Sequence, residues 1–243
     1  MQGSGGTCYI MAATSSLAEF PDQILNIFQN YSENTFTLKF YIRGKPWLVK
    51  VDDMIVFQNS DEPRPYFSRI SYDGSFWSVI VEKAWSKIKG TYTSSDGGYL
   101  QSGLRSLIGA PVFGYRLNTK YDPWQELKEA EDKGYLLTAS TTDVRFTGDT
   151  NKNNCSLQVN HAYTILHVFE RNGDKFYMMR NPWGRSSYNR HITSIENVPF
   201  NLDLNTSQEE RGIFVLSSSD IFDCFSEYQI GHIKEGYSEV WYD

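Results

Sequence analysis

Cysteine is scarce in this chain, and no stretch concentrates charge of one sign. Three cysteines, at positions 8, 155 and 224, form an odd set without Cys-x-x-Cys spacing. That argues against a disulfide framework and a structural zinc site, and it favours a reducing, cytoplasmic setting. With 23 basic against 29 acidic residues the net charge is −6, and no Lys/Arg block occurs. The footprint expected for nucleic acid or anionic lipid is therefore missing. Apolar runs such as residues 9–13 and 79–81 fall far short of the roughly 20 residues a spanning helix needs, so no membrane insertion is expected. Met1 is followed by a glycine-rich loop rather than by a basic and then apolar segment, so no secretory leader is expected and the sequons at Asn30, Asn154 and Asn205 are given no weight. Repeats and low-complexity tracts are absent, and 40% hydrophobic with 21% charged residues excludes disorder, collagen and coiled coil. A length of 243 residues allows either one large core or two smaller lobes.

What the chain has in excess is aromatic surface: 16 Tyr, 15 Phe and 6 Trp make up 15% of it. Such rings stiffen cores and also line clefts that grip extended chains, and composition does not separate the two roles. The order of elements says more. Residues 2–6 read Gln-Gly-Ser-Gly-Gly, a loop free to take positive φ, and Thr7 precedes an apolar helix-forming segment. Cys8 thus falls at a loop-to-helix junction. Residues 35–41 and 47–57 predict an antiparallel hairpin around Arg43-Gly44-Lys45-Pro46. Trp77, Val81, Ala84 and Ile88 then recur at helical spacing before Gly90, and a second helix is predicted over 99–107. Leu107-Ile108-Gly109-Ala110-Pro111 predicts a hinge dividing a first lobe, residues 1–110, from a second, residues 111–243. Beyond it one helix, 123–133, is followed by strand-like runs at 135–142, 161–170, 175–180 and 213–216. The polar stretches 142–160 and 184–208 read as long surface loops.

A cysteine attacks as thiolate, and the free N–H groups of a helix N-terminus favour that charge. Cys8 has this placement. The glycines ahead of it would admit a carbonyl carbon, and the Cys8 N–H with the Gln2 side-chain amide could donate to a developing oxyanion. The competing reading takes residues 1–6 as a tag remnant and Cys8 as a buried helix residue. A thiolate mechanism also needs a base. Of four histidines, His161 opens the run His-Ala-Tyr-Thr-Ile-Leu-His-Val-Phe and His167 lies within it. At about 3.3 Å per residue they stand about 20 Å apart, so at most one serves a given site, and His161 at the strand entrance is favoured. A strand histidine is ordinarily structural unless a partner orients it, and the candidate partner is Asn181. A two-residue Asn172-Gly173 turn would set Asn181 opposite Thr164, on the face away from His161. A three-residue loop or a bulge would set it opposite Tyr163 and diagonal to His161. The expectation is therefore an odd loop or a bulge.

Gln2-Gly3 with Gly6-Thr7-Cys8, Phe76-Trp77 with Glu82-Lys83-Ala84, Gly97-Gly98, His161-Ala162-Tyr163 and Arg180-Asn181-Pro182-Trp183-Gly184 resemble, in order, the signatures of the calpain protease core. The resemblance implies an α+β, papain-like cysteine endopeptidase core of two lobes, the first mainly helical and the second rich in antiparallel β. It implies Cys8 as nucleophile, His161 as general base and acid, Asn181 as orienter of the imidazole and Gln2 as an oxyanion donor. Trp183 resembles the tryptophan that shields the His and Asn pair. Protein or polypeptide substrates and flanking domains in a full-length protein are further implications.

Two departures matter. Family members commonly carry Asp and Trp on either side of the cysteine, where this chain has Thr7 and Tyr9. The reaction itself needs no cofactor, but many calpains are regulated by calcium bound in each lobe. Glu82 matches a first-lobe ligand, while Ser187, Arg211 and Ile213 stand where second-lobe carboxylates are expected. Arginine and isoleucine offer no oxygen to a hard cation, so the second-lobe site is expected to be absent. Cys155 and Cys224 match no catalytic position and read as a loop thiol and a core filler. Two alternatives to the peptidase remain: a calpain-like module that only binds peptides or partners, and an acyl transferase on a papain-like scaffold, which usually has Asp where Asn181 stands.

Overall fold

A computed structural model of the chain describes residues 1–61, 63–71, 74–141, 151–190, 192 and 212–233. The chain divides into two units. One comprises Met1–Val112 with the described residues from Gly231 onward, the other Phe113–Ile230. The division lies just past the Gly109-Ala110-Pro111 segment, where Gly109 ends a helix at φ 66°. Only glycine serves there, because a Cβ would stand 2.6 Å from the Tyr41 ring.

The first unit is built around α1 (Cys8–Leu17), buried on nearly every side through Tyr9, Ile10, Met11, Ala12 and Ala13. A helix apolar all round is a core helix. Four further elements surround it: α2 (Pro21–Ile27), a three-stranded antiparallel sheet, α3 (Trp77–Lys89) and α4 (Leu100–Ile108). Gly103 lets α4 approach α1 closely, since a Cβ would meet the Tyr9 carbonyl oxygen at 3.1 Å. The sheet is β1 (Phe28–Ser32), β2 (Thr35–Ile42) and β3 (Lys45–Asp52) in that order. Its β2–β3 turn is Arg43-Gly44, both at positive φ as a two-residue hairpin requires. Leu38 and Phe40 of β2 are fully buried. Neither α2 nor β1 was expected from the pattern.

The second unit carries a six-stranded sheet in the order β4-β9-β5-β6-β7-β8. Its strands are β4 (Val112–Arg116), β5 (Leu136–Ser140), β6 (Ala162–Arg171), β7 (Asp174–Arg180), β8 (Ile213–Ser217) and β9 (Glu227–Gly231), with α5 (Trp124–Asp132) and α6 (Ile221–Cys224). The β5–β6, β6–β7 and β7–β8 pairs are antiparallel. Leu127, Leu137, Tyr163, Ile165, Val168, Tyr177, Met179 and Phe214 form the main core, and Phe169, Phe176, Met178 and Val215 a smaller cluster.

The cysteine expectation needs correction. Cys155 and Cys224 are not a loop thiol and a core filler but a disulfide, with Cα atoms 5.5 Å apart and both residues buried in the main core. Asn153 explains the approach: its side-chain amide donates to the Cys224 carbonyl at 2.7 Å while its oxygen accepts from Cys155 N–H at 3.0 Å. The odd count is one cysteine outside any disulfide plus one pair 69 residues apart, a separation that no local pattern signals.

Candidate active site

The first unit supplies Cys8, half-buried and outside any disulfide, as the opening residue of α1. The glycine loop ahead of it is held from two sides. Ser4 N–H donates to Tyr66 O at 2.9 Å and Arg69 N–H to Met1 O at 2.8 Å. On the other side Gly6 N–H donates to the Asp96 carboxylate at 2.7 Å and Gly97 N–H to Gly6 O at 2.8 Å. Gly3 is obligatory, because a Cβ there would sit 1.5 Å from the Phe67 carbonyl oxygen. Gln2 is buried, and its amide donates to Gly5 O at 2.6 Å, leaving a second N–H on the same nitrogen. Tyr9 turns away from the loop into the core. It accepts from Trp85 Nε1 at 2.7 Å and donates to Ser95 O at 3.1 Å, and burial raises its pKa.

The second unit brings His161, Asn181 and Trp183 together. His161 is the residue immediately before β6, fastened to the end of β5 by Thr141: the Thr141 N–H donates to His161 O at 3.0 Å, and Thr141 Oγ1 accepts from the His161 N–H at 3.1 Å. The turn at Asn172-Gly173 has two residues, as Arg171 pairs with Asp174, so the odd-loop alternative is wrong. The register is corrected further along, by a bulge between Ile165 and His167. Past it Ile165 pairs with Met179 and Thr164 with Arg180, and continuing that register sets Asn181 opposite Tyr163. The bulge also explains why Tyr163, Ile165 and Val168 share the main core. His167 is bound to Glu131 of α5 and stacked on Phe169, a structural arrangement.

His161 Nε2 lies 2.9 Å from Asn181 Oδ1, which also accepts the Trp183 N–H at 3.0 Å. The backbone donor identifies that atom of the amide as the oxygen, and an oxygen accepts only. Nε2 therefore carries the proton, and Nδ1 keeps a lone pair for a base's work. The half-buried Trp183 ring packs 4.5 Å from the imidazole and Tyr163 stands edge-on at 4.9 Å. His161 is buried, which pushes its pKa down to about 4, with the Asn181 bond pulling weakly the other way. It is a neutral acceptor at ordinary pH.

Glu82, the residue that matches a first-lobe calcium ligand, is engaged by protein donors. Its two carboxylate oxygens accept the Thr7 hydroxyl and, at 2.6 Å, the Ser68 N–H. A backbone N–H cannot replace an oxygen ligand. Among the described residues no group of three His, Cys, Asp or Glu side chains is placed to hold a metal. Ser187 donates to Ser156 O at 2.5 Å, and Ile213 opens β8. Arg211 lies outside the described residues. Among the described residues, no helix is long and apolar enough to cross a membrane.

The family model of the calpain family cysteine proteases matches residues 1–232. The chain belongs to that family. Its α+β architecture is accordingly that of a papain-like core. The calpain-2 catalytic subunit of Rattus norvegicus is 29% identical over 247 residues, covering 94% of this chain and 35% of its own length. The human calpain-2 catalytic subunit has the same values. The calpain-type cysteine protease DEK1 of Zea mays is 28% identical over 194 residues, 75% of this chain and 9% of its own. The chain thus spans about a third of calpain-2 and under a tenth of DEK1.

Proposed function

We propose that this calpain-family chain is a cysteine endopeptidase acting on extended polypeptide. In this reading His161 Nδ1 takes the Cys8 thiol proton and Sγ adds to the scissile carbonyl carbon. The oxyanion is met by the Cys8 N–H and by the second N–H of the Gln2 amide. Collapse breaks the C–N bond, and the amine leaves with the proton from Nδ1. Water then attacks the thioester, again passing a proton to Nδ1, and Cys8 is released as thiol with the carboxylate product. Asn181 holds the imidazole in the productive tautomer throughout, and Trp183 shields that bond from water. The chemistry requires the two units to bring Cys8 Sγ within hydrogen-bond reach of Nδ1.

The observation that carries this reading is the His161–Asn181 bond with its assigned proton at Nε2. The donor set at Glu82 supports operation without calcium at that position. Labelling Cys8 with an electrophilic peptide, with and without calcium and with Cys8→Ala as control, tests both points. Labelling in both conditions is expected. Labelling only with calcium would overturn the calcium reading, and labelling in neither would favour a peptide-binding module.

A further inference from the structure

We propose that Glu82 is a positioning residue for the nucleophile, a role that rests on the reading of Cys8 above. Glu82 is 1% exposed on α3, between Thr7, also 1% exposed, and fully buried Ser68. Burying a carboxylate costs several kcal/mol unless its oxygens are satisfied, and here two protein donors satisfy them. Neighbouring Lys83 does not supply the compensation, since its ammonium is engaged by Asp52 and by Met54 O.

What the carboxylate joins is informative. Thr7 is the residue directly before Cys8, and its carbonyl accepts the first α1 bond, from Met11 N–H at 3.0 Å. A threonine in that place ordinarily caps the helix with its own hydroxyl. This one makes no cap bond and turns its hydroxyl to Glu82. Ser68 belongs to the segment that runs beside the glycine loop, bonded to it through Tyr66 O and Arg69 N–H, and its hydroxyl meets Met11 Sδ of α1 at 3.2 Å. Glu82 therefore staples the start of α1 to the segment that shapes the oxyanion loop. Holding Thr7 in one rotation fixes the Cys8 N–H, an oxyanion donor, and the direction in which Sγ leaves the backbone. Misplacement of a reacting group by about 1 Å can cost about 100-fold in rate.

The test compares Thr7→Val, which keeps shape and removes the hydroxyl, with Thr7→Ser, which restores it, alongside Glu82→Gln and the Glu82→Gln/Thr7→Val double variant. The readouts are kcat and KM on fluorescein-casein, the rate constant for Cys8 alkylation by iodoacetamide, and the thermal midpoint, with rates taken where each protein is fully folded. The expected result is a fall of about 10- to 100-fold in kcat for Thr7→Val with KM within about 3-fold. Alkylation falls in parallel, and Thr7→Ser recovers to within a few-fold. Glu82→Gln, whose remaining oxygen still accepts the Ser68 N–H, lowers kcat less, and the double variant is no worse than Thr7→Val, because both then act through the Thr7 contact. Thr7→Val with unchanged kcat and alkylation, Thr7→Ser no better than Thr7→Val, or additive losses in the double variant would each overturn the proposal. If the wild type does not cleave casein, the peptidase reading fails, while the alkylation ratios among the variants still decide the positioning role.

Discussion

The buried imidazole makes stability depend on pH with a definite sign. His161 titrates near 4 in the folded chain against an ordinary 6.5, so between those values the unfolded chain holds a proton that the folded one excludes. Stability then rises with pH across that window and is lost as pH falls through it. At about 1.4 kcal/mol per unit the whole shift corresponds to about 3 kcal/mol, of which about 2 kcal/mol is lost between pH 7 and pH 5. The assay is urea unfolding of the Cys8→Ala protein, which cannot digest itself, with and without His161→Gln. Subtracting the two removes every other titrating group, because glutamine does not ionise. The advantage of the glutamine protein should grow by about 2 kcal/mol on going from pH 7 to pH 5. A difference that stays constant within about 0.5 kcal/mol would refute the claim that burial keeps the imidazole neutral. The same neutrality is what leaves Nδ1 free to accept a proton.

Asn181→Ala removes the acceptor that fixes the proton on Nε2, so kcat is expected to fall about 10- to 100-fold with KM little changed, measured on the same casein substrate. Replacing Cys155 and Cys224 together by serine removes a link closing 69 residues and should lower unfolding stability in urea by about 2 to 4 kcal/mol. Alkylation of the unreduced, urea-unfolded wild type should modify Cys8 alone, and three modified thiols by intact mass would refute the pairing.

Much of the fold was legible because its signals are local. Helical spacing ending at Gly90, the Arg43-Gly44 turn and the β-branched, aromatic runs of β6 and β7 each act within one element, and the structure puts elements at those places. The elements missed include β1, β4, β9, α2 and the short α6. Phe28–Ser32 and Glu227–Gly231 hold their strands by pairing with sheet neighbours rather than by their own pattern. The disulfide escaped for the same reason, and with it goes the premise from which a reducing compartment was argued. Glu82 could be picked out only as a motif residue, since its partners at positions 7 and 68 are distant in sequence and one of them is a backbone N–H.

Asn181 shows where the boundary lies between what local chemistry specifies and what the assembled sheet decides. The Asn-Gly turn is so well suited to a two-residue hairpin that it forms one, and taken alone it would send Asn181 to the wrong face. The requirement that His161 and Asn181 meet then has to be satisfied elsewhere in the same strand pair. A bulge at Leu166 does this by shifting the register one residue, and it simultaneously returns Val168 to the core beside Ile165. Turn chemistry sets the start of the pairing and core packing sets its end. The bulge reconciles the two, and through it the packing of the second unit's core determines which nitrogen of His161 holds the proton.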